Sequence, residues 1–272
     1  MKVALVNLPL IEKQIPANIE NVKRVIADSK NNEIDLYVFP ENNICGGFWK
    51  GFSHDLDAIH QNFPFNRVEE EIAWISKEFN TGICCGYIEK EKGIYITHFI
   101  CNKGTSIGKQ RKLYPQNSLK EKYLESGKEI VTIKYNGYRI HILACCNFSF
   151  PEVAVMSCIQ QPDMIICPAD TYSANEREIN VVSTYLKTRA LDSGAYVLCS
   201  FGNSRVESKK LISSAAYNGK GEQLLFRIKD NNVTQISVVK FELSKAKQVC
   251  GGSSMRKDVL LNYLQSSTGA HE

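Results

Sequence analysis

No run of apolar residues in this chain of 272 approaches the roughly 20 needed to cross a membrane. The first fifteen residues hold no long apolar stretch behind a basic start, so no secretion signal is expected and the reading places the protein in the cytoplasm. No block of lysine and arginine is longer than two, as at Lys209-Lys210, and the net charge is only +4. A nucleic-acid footprint needs clustered basic residues, so neither nucleic acid nor membrane is an expected partner. Pro/Gly/Ser-rich linkers and internal repeats are also missing, and 43% hydrophobic content suits one large domain. Histidine is scarce, at five, and the ten cysteines form no CxxC knuckle, so no metal site and no cofactor is expected. Without a secretion signal the cysteines are reduced thiols rather than a disulfide framework. Most of them, among them Cys84, Cys85, Cys101, Cys167 and Cys199, lie in apolar strand-like runs and read as small buried hydrophobes.

What is present alternates strand and helix signals. Strands are expected over Lys2–Asn7, Ile34–Phe39, Gly82–Ile88, Gly93–Asn102, Met164–Cys167, Ala195–Phe201, Ile212–Tyr217, Gln223–Ile228 and Gln235–Leu243. Helices are expected from Pro16 to about Asn31, over Arg67–Asn80 and over Glu176–Leu191. Asn136-Gly137 between alternating apolar residues marks a hairpin joining Ile130–Tyr135 to Tyr138–Ala144. Asn42–Ser53 reads as a loop, Ser106–Tyr114 as a segment leaving the sheet, and Pro115–Lys128 as a polar loop with a short helical turn. The tail from Gln248 is mostly polar, with a helical patch near Val259–Leu264. The expected division is a domain over 1–245 and a tail over 246–272. The pattern gives an α/β protein with two layers of strand and helices outside.

The stretch with most chemistry is Ile140–Ala154, IHILACCNFSFPEVA. A buried strand ends at Cys145, the chain breaks over Asn147–Pro151, and a helix resumes at Pro151-Glu152, residues suited to a first helical turn. A thiol in a sharp turn at the carboxyl end of a strand is where a nucleophile is often exposed. Backbone N–H groups there can hold a developing oxyanion. Cys146 competes with Cys145 for the role. His141 lies four residues before Cys145 on the same strand, about 13 Å away at ~3.3 Å per residue, so it cannot serve that thiol as a base. His98 stays open as a partner. Two further charged residues stand out. Glu41 follows Phe39-Pro40 at a strand end, and Lys112 is one of three cations in Lys109-Gln110-Arg111-Lys112, among which spacing alone does not choose.

Cys145-Cys146-Asn147-Phe148-Ser149-Phe150-Pro151-Glu152 resembles the nucleophile motif of the nitrilase superfamily, the carbon–nitrogen hydrolases. Phe39-Pro40-Glu41 before a Gly-rich aromatic loop is similar to that family's first signature, and Arg111-Lys112-Leu113 to its second. Arg189-Ala190-Leu191-Asp192 with Tyr196-Val197, and Ser214-Ala215-Ala216-Tyr217 with Gly219 and Gly221, extend the likeness over roughly Met1–Leu243. Gln110 stands where the family has tyrosine. Cys146 and Asn147 stand where it has an aromatic and an acid, which bears on the substrate, and true nitrilases usually carry Trp-Glu there.

The resemblance implies a four-layer α-β-β-α sandwich that pairs through its helices into a homodimer or higher homo-oligomer. It implies a thiol hydrolase with Cys145 as nucleophile, Glu41 as general base and acid, and Lys112 with the Cys146 N–H around the oxyanion. A second glutamate, Glu121 in Lys120-Glu121-Lys122-Tyr123, is implied as a supporting residue, and Cys146 and Asn147 as substrate-binding or supporting ones. The expected substrate is a small linear amide, cleaved through a thioester with release of ammonia or an amine. An N-carbamoyl (ureido) amidohydrolase, an acyl-transferring member and a catalytically silent binding protein of the same fold remain as alternatives.

Overall fold

Val3 and Leu5 point one way from the first strand, β1 (Lys2–Asn7), and Ala4 and Val6 the other, and all four are wholly buried. A strand buried on both faces needs a layer on each side. Val3 and Leu5 join an apolar cluster that includes Ile140, Ile142, Met164 and Leu198 of a second sheet, whereas Ala4 and Val6 join one with helical Val22, Val25 and Ile72. A third cluster packs Ile165, Cys167, Val197 and Cys199 against helical Val153, Val182, Leu186 and Ala190. Three apolar interfaces between four layers give the α-β-β-α sandwich.

The computed structural model describes residues 1–47, 52–115, 124–170, 174–202, 210–230 and 233–242. After β1 come α1 (Ile15–Ser29), β2 (Leu36–Val38), α2 (Phe52–Asn62), α3 (Arg67–Phe79), β3 (Gly82–Lys90), β4 (Ile94–Asn102) and β5 (Thr105–Arg111). The second half runs β6 (Ile133–Tyr135), β7 (Tyr138–Ile142), α4 (Pro151–Ile159), β8 (Met164–Ala169), α5 (Glu176–Ser193), β9 (Tyr196–Phe201), β10 (Lys210–Tyr217), β11 (Gln223–Asp230) and β12 (Gln235–Lys240). The sheet orders are β12-β1-β2-β3-β4-β5 and β11-β10-β9-β8-β7-β6. Each sheet contains three adjacent parallel strands, β1-β2-β3 in one and β7-β8-β9 in the other, flanked by antiparallel ones.

Local chemistry supports these bounds. Pro16 sits in the first turn of α1, where its missing N–H costs nothing. Asn175 caps α5 by accepting from the Glu178 N–H, and Gly194 ends it at φ 66°. Asn136 and Gly137, both at positive φ, turn β6 into β7 with Tyr135 opposite Tyr138.

Two expectations are corrected. Thr105–Arg111 does not leave the sheet: it pairs with β4 as the edge strand β5. Its polar residues concealed this, because their charged partners, Glu69 on α3, Glu89 on β3 and Glu91 just beyond it, come from elsewhere in the chain. Phe52–Asn62 forms α2, which begins two residues inside the expected Asn42–Ser53 loop and has Leu56 and Ile59 buried. The tail and its helical patch lie outside the described residues.

Candidate active site

The carboxyl ends of the parallel strands in both sheets meet at one edge. Asn7, closing β1, donates from Nδ2 to the carbonyls of Phe201 (2.7 Å) and Gly202 (3.1 Å) after β9. The Glu41 N–H, three residues past β2, reaches the Ala169 carbonyl at the end of β8 (3.4 Å). Such a seam is where open α/β folds build sites.

Glu41 and Lys112 meet there. Lys112 Nζ lies 3.0 Å from Glu41 Oε1, and both side chains are 1% exposed. Desolvating two charges costs several kcal/mol per ion, and their attraction does not reliably repay it. Such a pair is a poor device for stability and a good marker of chemistry. The alternation of β5 explains which of the three cations arrives. Lys109 and Arg111 point to the outer face, where Arg111 Nε contacts Glu89 at 2.7 Å, Arg111 Nη2 contacts Glu91 at 2.6 Å, and Lys109 Nζ bonds Glu89. Those cations and Thr97 hold the Glu89 carboxyl down at about 2 against its burial. Lys112 follows the strand on the opposite face, its N–H on the Ile96 carbonyl (2.8 Å) and its own carbonyl accepting from Gly127 (2.8 Å).

Cys145 follows β7. The Leu143 N–H bonds the Ile166 carbonyl (2.8 Å) as the last tie to β8, and then Cys145 takes φ 47° and opens a 3₁₀ turn over Cys145–Ser149. A left-handed conformation is strained for a cysteine and is characteristic of functional turns. Pro151 opens α4 immediately after, as expected from the sequence. Burial pushes the Cys145 thiol well above its ordinary range and the Glu41 charge adds to this, while the Lys112 ammonium and a hydrogen bond from the Asp170 backbone pull it down. The resting sulfur is therefore a neutral thiol beside a carboxylate able to take its proton.

Cys146 is turned elsewhere. It is partly exposed, and its Sγ lies 3.3 Å from the Tyr114 carbonyl. Asn147 is 2% exposed, and its amide is engaged by the backbone of Leu113 and Tyr114. Glu121 lies outside the described residues. His141 is occupied by Ser157 (2.7 Å) and Thr132 (2.9 Å), far from a catalytic role. His98 is wholly buried on β4, and burial and the Lys112 charge hold its imidazole down at about 3. It is thus a neutral group behind the ion pair, unsuited to take a proton from a thiol. Sequence reasoning missed the Asp170 backbone donor and the Asn7 tie, because backbone donors leave no residue-type signal and Asn7 reads as an ordinary strand end.

The carbon–nitrogen hydrolase family model matches residues 2–249. A deaminated glutathione amidase from Escherichia coli O157:H7 is 21% identical over 208 residues, covering 72% of this chain and 76% of that protein. A Pseudomonas protegens protein described as a hydrolase in the pqqF 5' region is 24% identical over 207 residues, covering 72% and 68%. A cysteine-to-alanine mutant of the Nesterenkonia AN1 amidase, from the nitrilase superfamily, superposes with a TM-score of 0.78 at 14% identity over 97% of both chains. A glutamate-to-glutamine mutant of the same amidase, with the acetamide moiety of fluoroacetamide added covalently at its active site cysteine, gives 0.79 at 13% identity over 97% of this chain and 96% of that one. At these identities the solved structures establish the fold, and the family match over nearly the whole length establishes that this chain belongs to the carbon–nitrogen hydrolase family.

Proposed function

We propose that the protein hydrolyses the non-peptide C–N bond of a small linear amide through a Cys145 thioester. The observation that carries this reading is the buried Glu41–Lys112 pair whose two charges act on the Cys145 thiol. Glu41 takes the proton of Cys145 as sulfur bonds the amide carbon. The oxygen becomes an oxyanion, stabilised by the Lys112 ammonium and the Cys146 N–H. The intermediate collapses with cleavage of the C–N bond, and the proton on Glu41 passes to the departing amine or ammonia. Glu41 then takes a proton from water, hydroxide oxygen adds to the thioester, and cleavage of the C–S bond releases the acid while the proton returns to sulfur. Glu121 is proposed as a support for Lys112 and the substrate.

The Nesterenkonia neighbour is an amidase, and its glutamate-to-glutamine mutant holds the acetamide moiety of fluoroacetamide at its active site cysteine, which supports an amide rather than a nitrile as substrate class. The test is ammonia release from a panel of small amides, ureido acids and nitriles, with Cys145→Ala and Cys146→Ala alongside. Release from an amide that is lost in Cys145→Ala and kept in Cys146→Ala is the expected result. Loss only in Cys146→Ala moves the nucleophile by one residue, and silence with folded protein overturns the reading. Added amine that diverts product from the free acid would favour acyl transfer.

The same reading includes self-association through the outer helices. Met156 on α4, and Val181 and Tyr185 one turn apart on α5, are 37%, 43% and 38% exposed, and α4 packs against α5. Sedimentation of the protein and of Tyr185→Glu tests it, with a dimer or larger assembly reduced towards monomer in the variant as the expected outcome.

A further inference from the structure

We infer that Asn147 is a positioning residue that straps the Lys112 segment of one sheet to the Cys145 turn of the other. The inference rests on the hydrolase reading above and adds to it the means by which two catalytic groups from separate sheets keep their spacing. Lys112 is the last residue tied to β4: register pairing of β5 ends at Arg111 opposite Thr97, and the Lys112 N–H still bonds the Ile96 carbonyl at 2.8 Å. Beyond Lys112, the backbone of Leu113 and Tyr114 turns towards the nucleophile. Asn147 Oδ1 accepts the N–H groups of Leu113 (2.9 Å) and Tyr114 (3.2 Å), and Nδ2 donates to the Tyr114 carbonyl (3.1 Å). One side chain, two residues after Cys145, thus satisfies three backbone groups adjoining Lys112. The other end of the strap is equally fixed, since the Asn147 N–H bonds the Ala144 carbonyl at 3.1 Å.

The pattern of two acceptances and one donation requires an amide. A carboxylate would accept both N–H groups but face the Tyr114 carbonyl with no proton to give. An aliphatic group would leave buried N–H groups unpaired. A lysine arm has four rotatable bonds, so the place of its ammonium is set largely by where its backbone is anchored. Displacement of catalytic groups by about 1 Å costs rate on the order of 100-fold.

Asn147→Ala and Asn147→Asp test the inference by two readouts at a temperature where circular dichroism shows both folded. The first is kcat and KM on the amide identified from the panel. The second is the rate of Cys145 alkylation by iodoacetamide between about pH 6 and 10, with the modified residue located by peptide sequencing. The expected result is a kcat lower by roughly 10- to 100-fold with KM within about threefold. The alkylation profile should move to higher pH in Asn147→Ala, as the ammonium withdraws from sulfur, and further in Asn147→Asp, which adds a negative charge. A tie that is only structural would lower the melting temperature and leave the profile of the folded variant in place. That outcome overturns the inference, as does failure of both variants to fold. Alkylation needs no turnover, so a shifted profile beside a silent amide panel would sink the hydrolase reading alone.

Discussion

The chain contains two pairs of adjacent cysteines, Cys84-Cys85 and Cys145-Cys146, and their surroundings differ. Cys84 and Cys85 lie within β3, one facing the inter-sheet core and the other the helical side, both wholly buried. Burial raises the Cys84 thiol to about 12 and Cys85 well above its ordinary range. Cys145 is equally deprived of water, yet it sits in a strained turn where an ammonium, a carboxylate and a backbone N–H converge. Burial alone makes a thiol inert, whereas burial beside a fixed base and cation makes one usable. The contrast is set by strand alternation in the first pair and by its interruption in the second.

The sharpest way to test this contrast is to remove the carboxylate. Glu41→Gln should lower kcat by about 10²- to 10⁴-fold, as expected for loss of a general base. Because the Glu41 charge pushes the Cys145 thiol up, the variant should also alkylate faster at a given pH. Slower turnover with easier ionisation would separate proton transfer from thiolate abundance. Activity falling together with alkylation would show that Glu41 acts through the ionisation of sulfur instead.

A smaller effect should come from the residue that links the two regions. Gly86 directly follows Cys85, and a Cβ there would stand 2.5 Å from His98 Nε2 and 2.7 Å from the Asn42 backbone nitrogen. Gly86→Ala must therefore displace the imidazole and the turn that carries Glu41. A destabilisation of about 1–3 kcal/mol is expected from this overpacking, read by urea unfolding, with a loss of activity in the folded fraction. Full activity at unchanged stability would show that the Glu41 turn is not held by β3.

The smallest expected effect is on pH. His98 and His141 are held neutral by burial, with pKa values of about 3 and 4, below the ~6.5 of an unfolded histidine. The unfolded chain takes up protons that the native one refuses, so their contribution is complete above about pH 6.5 and declines as pH falls towards 4. Glu89, held at about 2, loses its contribution only below its unfolded value of ~4.5, which leaves the window between to the histidines. The urea midpoint should fall from pH 7 to pH 5, and less steeply in His98→Asn. A flat profile in the parent protein would contradict the buried neutral state.

The strand and helix order was readable where one residue type has one meaning. Asn136-Gly137 could only be a tight turn, and Val3–Val6 reads as a strand buried on both faces. Edge strand β5 was not readable, because Lys109 and Arg111 look like solvated charge until Glu89 and Glu91 are placed opposite them. Likewise Asn147 reads as a change in the substrate pocket, while its amide is taken up by the backbone of Leu113 and Tyr114.

By itself the sequence determined the layering, and its local motifs, through the resemblance they carry, named the family and the three residues on which the proposed chemistry rests. Phe150-Pro151-Glu152 after Cys145 is also what sets the proposed register of the nucleophile turn. Only the tertiary structure decided that Lys112, and neither Lys109 nor Arg111, turns to Glu41, since that depends on which face of β5 meets the second sheet. It also decided that the Cys145 thiol rests neutral, since desolvation and the balance of Glu41 against Lys112 exist only once two sheets close over them.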